Sequence, residues 1–182
     1  MNSNDLIAAC IKGDRKAQRE LYTQYAPRLM AISLRYAKST LEAEDILQES
    51  FLKIYRGLAK LRDYSNLGAW MKKILINTAI NHQRGKLYLF PMVDIENVKT
   101  TYDESVALSE FRHEELLEMI RGLPTGCRMI FNLYAIEGFS HKEIADKLDI
   151  SEGTSKSQYA RAKFLLQKKL MEEKVKSYEK FK

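Results

Sequence analysis

The chain has 182 residues, of which 45% are hydrophobic and 30% are charged, with only 8 Gly and 3 Pro. This composition excludes wholesale disorder and a turn-rich β protein, and it favours helices that carry solvated faces. The length suffices for two small domains, each with its own core. We therefore expect an all-α chain of two small helical domains.

The formal net charge of +6 is distributed unevenly along the chain. Residues 1–90 carry 15 Lys/Arg against 8 Asp/Glu, residues 91–125 carry 3 against 8, and residues 126–182 carry 12 against 8. Two basic segments thus flank an acidic one. This layout suits two polyanion-binding modules, but ordinary solvated helices are often basic as well, so charge alone leaves nucleic-acid binding open.

The cysteines and histidines do not indicate a metal site, a disulfide framework or catalysis. Cys10 and Cys127 form no C-x-x-C pair, the three histidines lack metal-ligand spacing, and no G-x-x-x-x-G-K phosphate loop occurs. No apolar run approaches ~18 residues, and the N-terminus lacks a signal-peptide layout. We expect a cytoplasmic protein that is not an enzyme and uses no metal, cofactor or small-molecule substrate.

Helical periodicity extends from the N-terminus to about residue 86. We predict four breaks in it, at residues 13–14, 26–27, 38–40 and 62–66. Asp14 and Asn66 can each cap the following helix, and Ser39 with Glu42 has the spacing of a capping box. Pro27 suits the first turn of a helix. Residues 1–88 are therefore predicted to form one bundle of four or five helices.

The periodicity fades after this bundle and acidic residues accumulate, so residues 89–104 are predicted to form a flexible acidic linker. From residue 105 the helical pattern returns as three or four shorter helices. Residues 105–182 are thus the second predicted domain.

Residues 139–166 have the pattern of a helix–turn–helix. Ser140 with Glu143 predicts the start of its first helix, and Ala145 is small enough for a close helix crossing. Asp149 suits the turn, and Ser151 can cap the second helix. An ordinary helical hairpin with a basic solvated face is the alternative interpretation.

The second helix of this motif has an inner and an outer side at 100° per residue. The outer side combines small residues with Lys, Ser and Arg, which suits close approach to a DNA groove. The inner set is Ser155, Tyr159, Ala162 and Leu166, and the outer set is Lys156, Ser157, Ala160, Lys163 and Phe164, with Arg161 at its edge.

Residues 43–58 are predicted to form an amphipathic helix with an unusual outer face. Its inner face is Ala43, Leu47, Ser50, Phe51 and Ile54, and its outer face carries Leu41, Asp45, Gln48, Glu49 and Leu52. Acids mixed with exposed leucines suit a protein–protein docking surface, but a plain solvated face has the same composition.

Residues 69–84 place aromatic, amide and cationic side chains on one arc of a helix. The arc holds Trp70, Lys73, Asn77, Asn81 and Arg84, opposite Met71, Leu75 and Ala79. Such a mixture suits unpaired bases, which stack on aromatic rings and accept contacts from amides and cations. A tryptophan at the core edge beside a polar helix face is the alternative.

These segments together resemble the extracytoplasmic function (ECF) group of bacterial sigma factors. The matching stretches are EDILQESFLKIYR, AWMKKILINTAIN, GFSHKEIA and SEGTSKS, in this order and spacing, and the resemblance extends from about Ile7 to Leu170. It implies a factor that binds RNA polymerase core and directs it to promoter DNA. It also implies control by a membrane-tethered anti-sigma factor.

The resemblance implies a role for each domain. The first would dock on the β′ clamp helices through Asp45, Gln48, Glu49 and Leu52. It would capture an unstacked promoter base near Gly57, Leu61 and Asn77, with further DNA contacts from Trp70, Lys73, Asn81 and Arg84. The second would meet the β flap and contact the upstream promoter element through Lys156, Ser157 and Arg161.

Departures from the family pattern and two rival functions accompany this prediction. The sequence has Ser155 where the family usually has an apolar residue, Gln158 where a basic residue is frequent, and Ala160 at a position that is often bulky. The upstream sequence preference is therefore not predicted. One rival function is a conventional helix–turn–helix regulator that binds its operator without polymerase. The other is a helical adaptor with no DNA function.

Overall fold

Short polar segments with capping residues separate the helices of the N-terminal part. The computed structural model describes residues 3–61, 63–87 and 113–179, and it contains helices but no strand within those ranges. The predicted all-α fold class is confirmed. The predicted linker, residues 89–104, lies outside the described residues.

The chain divides into two compact units, residues 1–82 and 83–182. The first is built from four helices and a short 3-10 turn, Leu58–Lys60. The helices are α1 (Ser3–Ile11), α2 (Arg15–Tyr36), α3 (Thr40–Gly57) and α4 (Leu67–Leu87), the last of which extends past residue 82.

The predicted starts of α2 and α3 are confirmed by their caps. The side chain of Asp14 accepts hydrogen bonds from the N–H groups of Lys16 and Ala17, at 2.8 and 3.1 Å. Ser39 Oγ accepts from the N–H of Glu42 at 3.2 Å. These bonds satisfy N–H groups that have no partner within their own helix.

The predicted break at Ala26-Pro27 is wrong, because α2 continues through Pro27 as a single helix of 22 residues. A proline inside a helix removes one hydrogen bond and crowds the preceding turn. Packing on both sides of Pro27 outweighs that cost, since Leu21, Ala26, Leu29 and Ile32 are all buried. Tertiary contacts therefore override the local breaking signal.

The core of the first unit lies between the inner faces of α3 and its neighbours. The five residues predicted for the inner face of α3 are all buried, and Ile46 is buried with them. Phe51 packs against Tyr22 of α2, with ring centroids 4.6 Å apart, and Tyr55 OH donates to the Gln18 carbonyl at 2.9 Å. From α4, Met71, Leu75 and Ala79 are 0% exposed, as their arc predicts.

The described part of the second unit contains four helices, in agreement with the larger of the two predicted counts. They are α5 (His113–Arg121), α6 (Thr125–Phe131), α7 (His141–Leu148) and α8 (Glu152–Glu179), with a π-helical turn, Asn132–Ile136, after α6. The buried residues Leu123, Cys127 and Ala162 form its centre, covered by Phe131, Leu165 and Leu166.

A buried arginine closes the end of α5. Arg128 is 1% exposed, and its guanidinium donates to the carbonyl oxygens of Arg121 and Leu123 at 2.8 and 3.2 Å. Carbonyl groups at a helix C-terminus lack partners within the helix, and a cation there is favoured by the helix dipole. Arg128 thus links α6 to α5 in the scaffold that supports the helix–turn–helix.

Replacing Pro27 by Ala should stabilise the first unit by about 1–2 kcal/mol. The substitution restores a helical N–H and relieves the crowding, and part of this gain is offset by the larger entropy of the unfolded chain. Pro27 is exposed, so no packing is lost. Urea unfolding followed by the fluorescence of Trp70 measures the change.

The exposed neighbour Arg28 provides the control, because Arg28→Ala should change the stability by less than about 0.5 kcal/mol. An unchanged or lower stability of the Pro27→Ala protein would contradict the interpretation of α2 as one continuous helix under local strain.

Candidate nucleic-acid interface

The first helix of the predicted helix–turn–helix, α7, is held by a capping box. Ser140 Oγ accepts from the N–H of Glu143 at 3.3 Å, and the Ser140 N–H donates to Glu143 Oε2 at 2.8 Å. The Glu143 carboxylate accepts hydrogen bonds from both the N–H and the hydroxyl of Ser140, and these lower its pKa below its usual value. A helix of only 8 residues is unstable alone, so this cap and the buried face of Ile144, Ala145 and Leu148 define it.

The turn between α7 and α8 is formed by the residues predicted for it. Asp149 adopts the left-handed conformation, with φ 56°, and its N–H donates to the Ala145 carbonyl. Such a conformation is uncommon except at Gly, Asn and Asp. Ser151 Oγ then accepts from the N–H of Thr154 at 2.9 Å and so caps α8, as predicted.

The inner side of α8 packs against α7 through a polar contact that the sequence pattern did not predict. Ser155 is 0% exposed, and its Oγ lies 2.9 Å from Nδ1 of His141, the first residue of α7. Ser155, which departs from the apolar residue usual in the family, is therefore satisfied by a histidine on the facing helix. A hydroxyl without such a partner would be costly to bury.

An aromatic cluster surrounds this contact. Tyr134 stacks on His141, with centroids 4.3 Å apart, and tilts against Tyr159 of α8 at 4.5 Å. His141 also meets the edge of Tyr159 at 5.8 Å. The π-helical turn Asn132–Ile136 carries Tyr134 to this position, so three segments of the second unit converge on one histidine.

The outer side of α8 displays the residues predicted for duplex DNA. Lys156 is exposed and pairs with Glu152 at 2.8 Å, whereas Ser157 and Arg161 are half-buried. Ser157 Oγ donates to the Thr154 carbonyl at 3.0 Å. Lys163 Nζ lies 5.3 Å from the centre of the Tyr159 ring. The face thus offers cationic and hydroxyl groups along one helix.

In the first unit, the outer face of α3 is exposed along its whole length. Asp45, Gln48 and Glu49 are exposed, and the two leucines beside them are 69% (Leu41) and 57% (Leu52) exposed. Glu49 pairs with Lys53 at 2.7 Å. The structure therefore brings all four implied polymerase contacts onto one face.

The arc of α4 is also exposed, apart from its aromatic member. Lys73, Asn77, Asn81 and Arg84 are exposed, whereas Trp70 is half-buried. The Trp70 ring lies against Gly57 at the end of α3, which supports the core-edge interpretation for this side chain. Leu61, half-buried just after the 3-10 turn, donates its N–H to the Leu58 carbonyl at 3.1 Å.

The described residues hold neither a metal cluster nor a membrane-spanning helix. Among them, no group of three or more His, Cys, Asp or Glu side chains is arranged to hold a metal ion. None of the described helices is both long enough and apolar enough to cross a membrane.

Two helical units, one of which ends in a basic helix–turn–helix, have the architecture of a DNA-binding transcription protein. Family profiles identify the group. A profile described as Sigma-70 region 2 matches residues 21–86, and one described as Sigma-70, region 4 matches residues 113–164.

Curated relatives agree with the profiles over nearly the whole chain. Proteins named ECF RNA polymerase sigma-E factor from Escherichia coli and Salmonella typhimurium are 29% identical over 177 residues, 91% of this chain and 92% of theirs. One from Haemophilus influenzae is 29% identical over 178 residues, with 91% and 93% covered. The chain belongs to the sigma-70 family, in its ECF group.

Two solved structures resemble the chain with TM-scores below 0.5. The sigma factor RpoE in complex with the anti-sigma factor NepR from Bartonella quintana superposes with a TM-score of 0.49 at 24% identity, covering 85% of this chain and 96% of that one. CnrH in complex with the cytosolic domain of CnrY gives 0.46 at 20% identity, with 91% and 94% covered.

As a member of this family the protein is a transcription initiation factor that binds RNA polymerase core and directs it to promoters. This membership favours the sigma-factor prediction over the lone regulator and the adaptor without DNA function. The ordered combination of motifs is the sequence signal that distinguishes a sigma factor from the regulator and from the adaptor. No sequence motif predicted the aromatic cluster around His141.

The stability of the second unit should fall as the pH falls below about 6.5, the ordinary pKa of histidine. Burial and the nearby Lys156 lower the pKa of His141, against a smaller opposite effect of Glu152. The unfolded chain therefore binds the proton more readily than the folded one, and stability is lost as pH falls through the folded-state pKa. Urea unfolding followed by NMR resonances of α7 and α8 measures this.

A His141→Gln protein should show a flatter pH dependence, because an uncharged amide replaces the titrating ring. His82→Gln changes a histidine of the first unit and should leave the resonances of α7 unaffected. Equal pH dependences of the wild-type and His141→Gln proteins would rule out His141 as the responsible group.

Proposed function

We propose that the two units divide promoter opening between them. The outer face of α3 binds polymerase core, the arc of α4 captures an unpaired promoter base, and the outer side of α8 contacts the upstream duplex. The observation that carries this proposal is the segregation of α3, whose inner face is buried while Asp45, Gln48, Glu49 and Leu52 are all exposed. Leu41 and Leu52 expose apolar surface beside these acids, and a partner that covered it would add the free energy of burying that surface.

The domain limits follow from this division. We propose a first domain of residues 1–88, a linker of residues 89–104 and a second domain of residues 105–182. The two family matches, residues 21–86 and 113–164, support these limits because each falls within one proposed domain.

The DNA-facing roles rest on chemistry that suits two states of DNA. Asn77 offers an amide to the edge of an unstacked base beside Gly57 and Leu61, and Trp70, Lys73, Asn81 and Arg84 lie on the same helix. Lys156, Ser157 and Arg161 suit phosphates and base edges of a duplex. The chemistry of RNA synthesis belongs to the polymerase, and the factor itself needs no cofactor.

Its partners are then the β′ clamp helices, the β flap and promoter DNA. We further propose that the protein acts in the cytoplasm and is held inactive by a membrane-tethered anti-sigma factor. Membership of the ECF group supports this form of control.

Removing the central contacts of the α3 outer face should abolish core binding without unfolding the chain. An Asp45→Ala/Leu52→Ala protein should bind core at least about 30-fold more weakly, since interface hot spots cost about 2 kcal/mol or more each. The exposed pair Glu20 and Met171 provides the matched control, an acid and an apolar residue outside this face. Fluorescence anisotropy of the labelled factor titrated with core measures the affinity.

If the double variant keeps its affinity while its circular dichroism is normal, the docking face lies elsewhere. A Glu20→Ala/Met171→Ala protein that loses the same affinity would show that the effect is not specific to α3.

Substitutions on the two DNA-facing surfaces should fail at different steps. Asn77→Ala should impair promoter melting and leave upstream duplex binding intact. Lys156→Ala or Arg161→Ala should weaken recruitment by about 1–3 kcal/mol if a base contact is lost. Permanganate footprinting of the polymerase complex measures melting, and gel shift measures recruitment.

A premelted promoter separates the two classes. It should largely bypass the α8 defects, because opening no longer depends on tight upstream anchoring, and it should rescue Asn77→Ala only in part. Equal rescue of both classes would refute this division of labour.

A further inference from the structure

Gly57 has a neighbour that explains why no side chain is present there. A carbon placed at its Cβ position would lie 2.9 Å from Cζ2 and 3.1 Å from Cη2 of the Trp70 ring. The first distance is shorter than real Cβ contacts. Leaving out the glycine's own helix backbone and its chain neighbours, no other atom of the described residues lies within 4 Å of this position. The ring alone occupies the space.

The backbone at Gly57 does not require a glycine. Its φ of −88° and ψ of −20° are accessible to every residue type. Glycine at a helix end of ordinary conformation carries an entropic cost, which alanine would avoid. The close approach of the Trp70 ring is therefore one physical reason for a glycine at this position.

A second contact joins the same two helices one turn earlier on α3. Lys53 Nζ donates to Thr78 Oγ1 of α4 at 3.2 Å and pairs with Glu49 of the docking face at 2.7 Å. Thr78 is buried and directly follows Asn77 in α4. Two contacts spaced along α4, at Trp70 and Thr78, thus connect it to α3, in addition to the buried face of Met71, Leu75 and Ala79.

We infer that Gly57 is a positioning residue: by admitting the Trp70 ring against the end of α3, it holds the Asn77 face of α4 in a fixed orientation relative to the polymerase-docking face of α3. This inference rests on the proposed function of the two faces. Docking on polymerase then also sets the position of the base-capturing amide, because the Gly57–Trp70 and Lys53–Thr78 contacts connect the two helices.

The test is a double-mutant cycle of Gly57→Ala and Trp70→Phe. A phenylalanine ring is shorter and lacks the two indole carbons that a methyl group at position 57 would meet. The matched control is Gly68→Ala in α4, where an added carbon would make an ordinary contact, 3.7 Å from Cε1 of Tyr25. Each protein is assayed for core affinity, for melting of a duplex promoter with core polymerase, and for its thermal unfolding midpoint.

Trp70 is the only tryptophan of the chain, so its emission reports the contact directly. Gly57→Ala should shift this emission and increase its quenching by acrylamide, whereas Gly68→Ala should not. Gly57→Ala should leave core affinity within about twofold of wild type but reduce melting about tenfold. When Trp70→Phe is already present, the same substitution should cost less than about twofold in melting, because the obstructing atoms are gone.

Two results would overturn the inference. One is a melting cost of Gly57→Ala that is the same with and without Trp70→Phe, which would mean that Gly57 itself contacts the DNA. The other is coupling in the unfolding midpoint alone, with unchanged melting, which would make the contact purely structural.

If the Gly57→Ala protein does not fold, the Gly57→Ala/Trp70→Phe protein provides the test. It should fold, and it should melt the promoter as well as the Trp70→Phe protein does. A double variant that also fails to fold refutes the ring as the sole obstacle. Failure of the proposed function is recognised separately, by an Asn77→Ala protein that melts promoters normally.

Discussion

Burial of one side of α3 determines which of its side chains reach solvent. Ala43, Ile46, Leu47, Phe51 and Ile54 are each no more than 4% exposed. Burying a large apolar side chain contributes roughly 1.5–3 kcal/mol. A rotation of α3 that exposed these side chains would therefore lose far more free energy than burial of its outer face could supply. The outer face is therefore held outward by the core. Helix α4 is connected to α3 through Lys53 and Gly57, which lie one turn apart on the same side of α3.

The helix–turn–helix is stabilised in a different way from α3. Its first helix is too short to persist through backbone hydrogen bonds alone. Caps at Ser140 and Ser151, the left-handed Asp149 and the pair of His141 with Ser155 supply local order instead. The aromatic rings around His141 then join α7 and α8 to the π-helical turn. Helix α8 is supported in this way on its inner side, which leaves Lys156 and Phe164 of its outer side exposed.

Much of this could be predicted from local signals, and the remainder could not. Caps and helical periodicity act over a few residues, which is why the starts of α2, α3, α7 and α8 and the inner face of α3 were predicted correctly. The predicted break at Pro27 was wrong because the tertiary packing of α2 outweighs the local cost of a proline inside a helix. The contacts of Gly57 with Trp70 and of Ser155 with His141 join residues on different helices, and no residue pattern specifies them. The assignment of DNA and polymerase contacts depended on family resemblance, since a solvated basic face has no distinguishing periodicity.

With Lys156 in its proposed role at the upstream duplex, its ion pair with Glu152 affects how the factor discriminates among DNA sites. Binding to phosphates gains much of its free energy from the release of condensed cations, and that gain is the same at every sequence. The Glu152 carboxylate lies one turn away, 2.8 Å from the Lys156 ammonium, so a phosphate would compete with it for that cation. Such an exchange weakens attraction to random duplex, where nothing else compensates for the displaced carboxylate. At a site that also satisfies neighbouring groups of α8, the loss is offset. In this proposed role, an acid beside Lys156 reduces non-specific binding by the small free energy of an exposed ion pair, and it makes the salt dependence less steep than the count of cationic side chains implies.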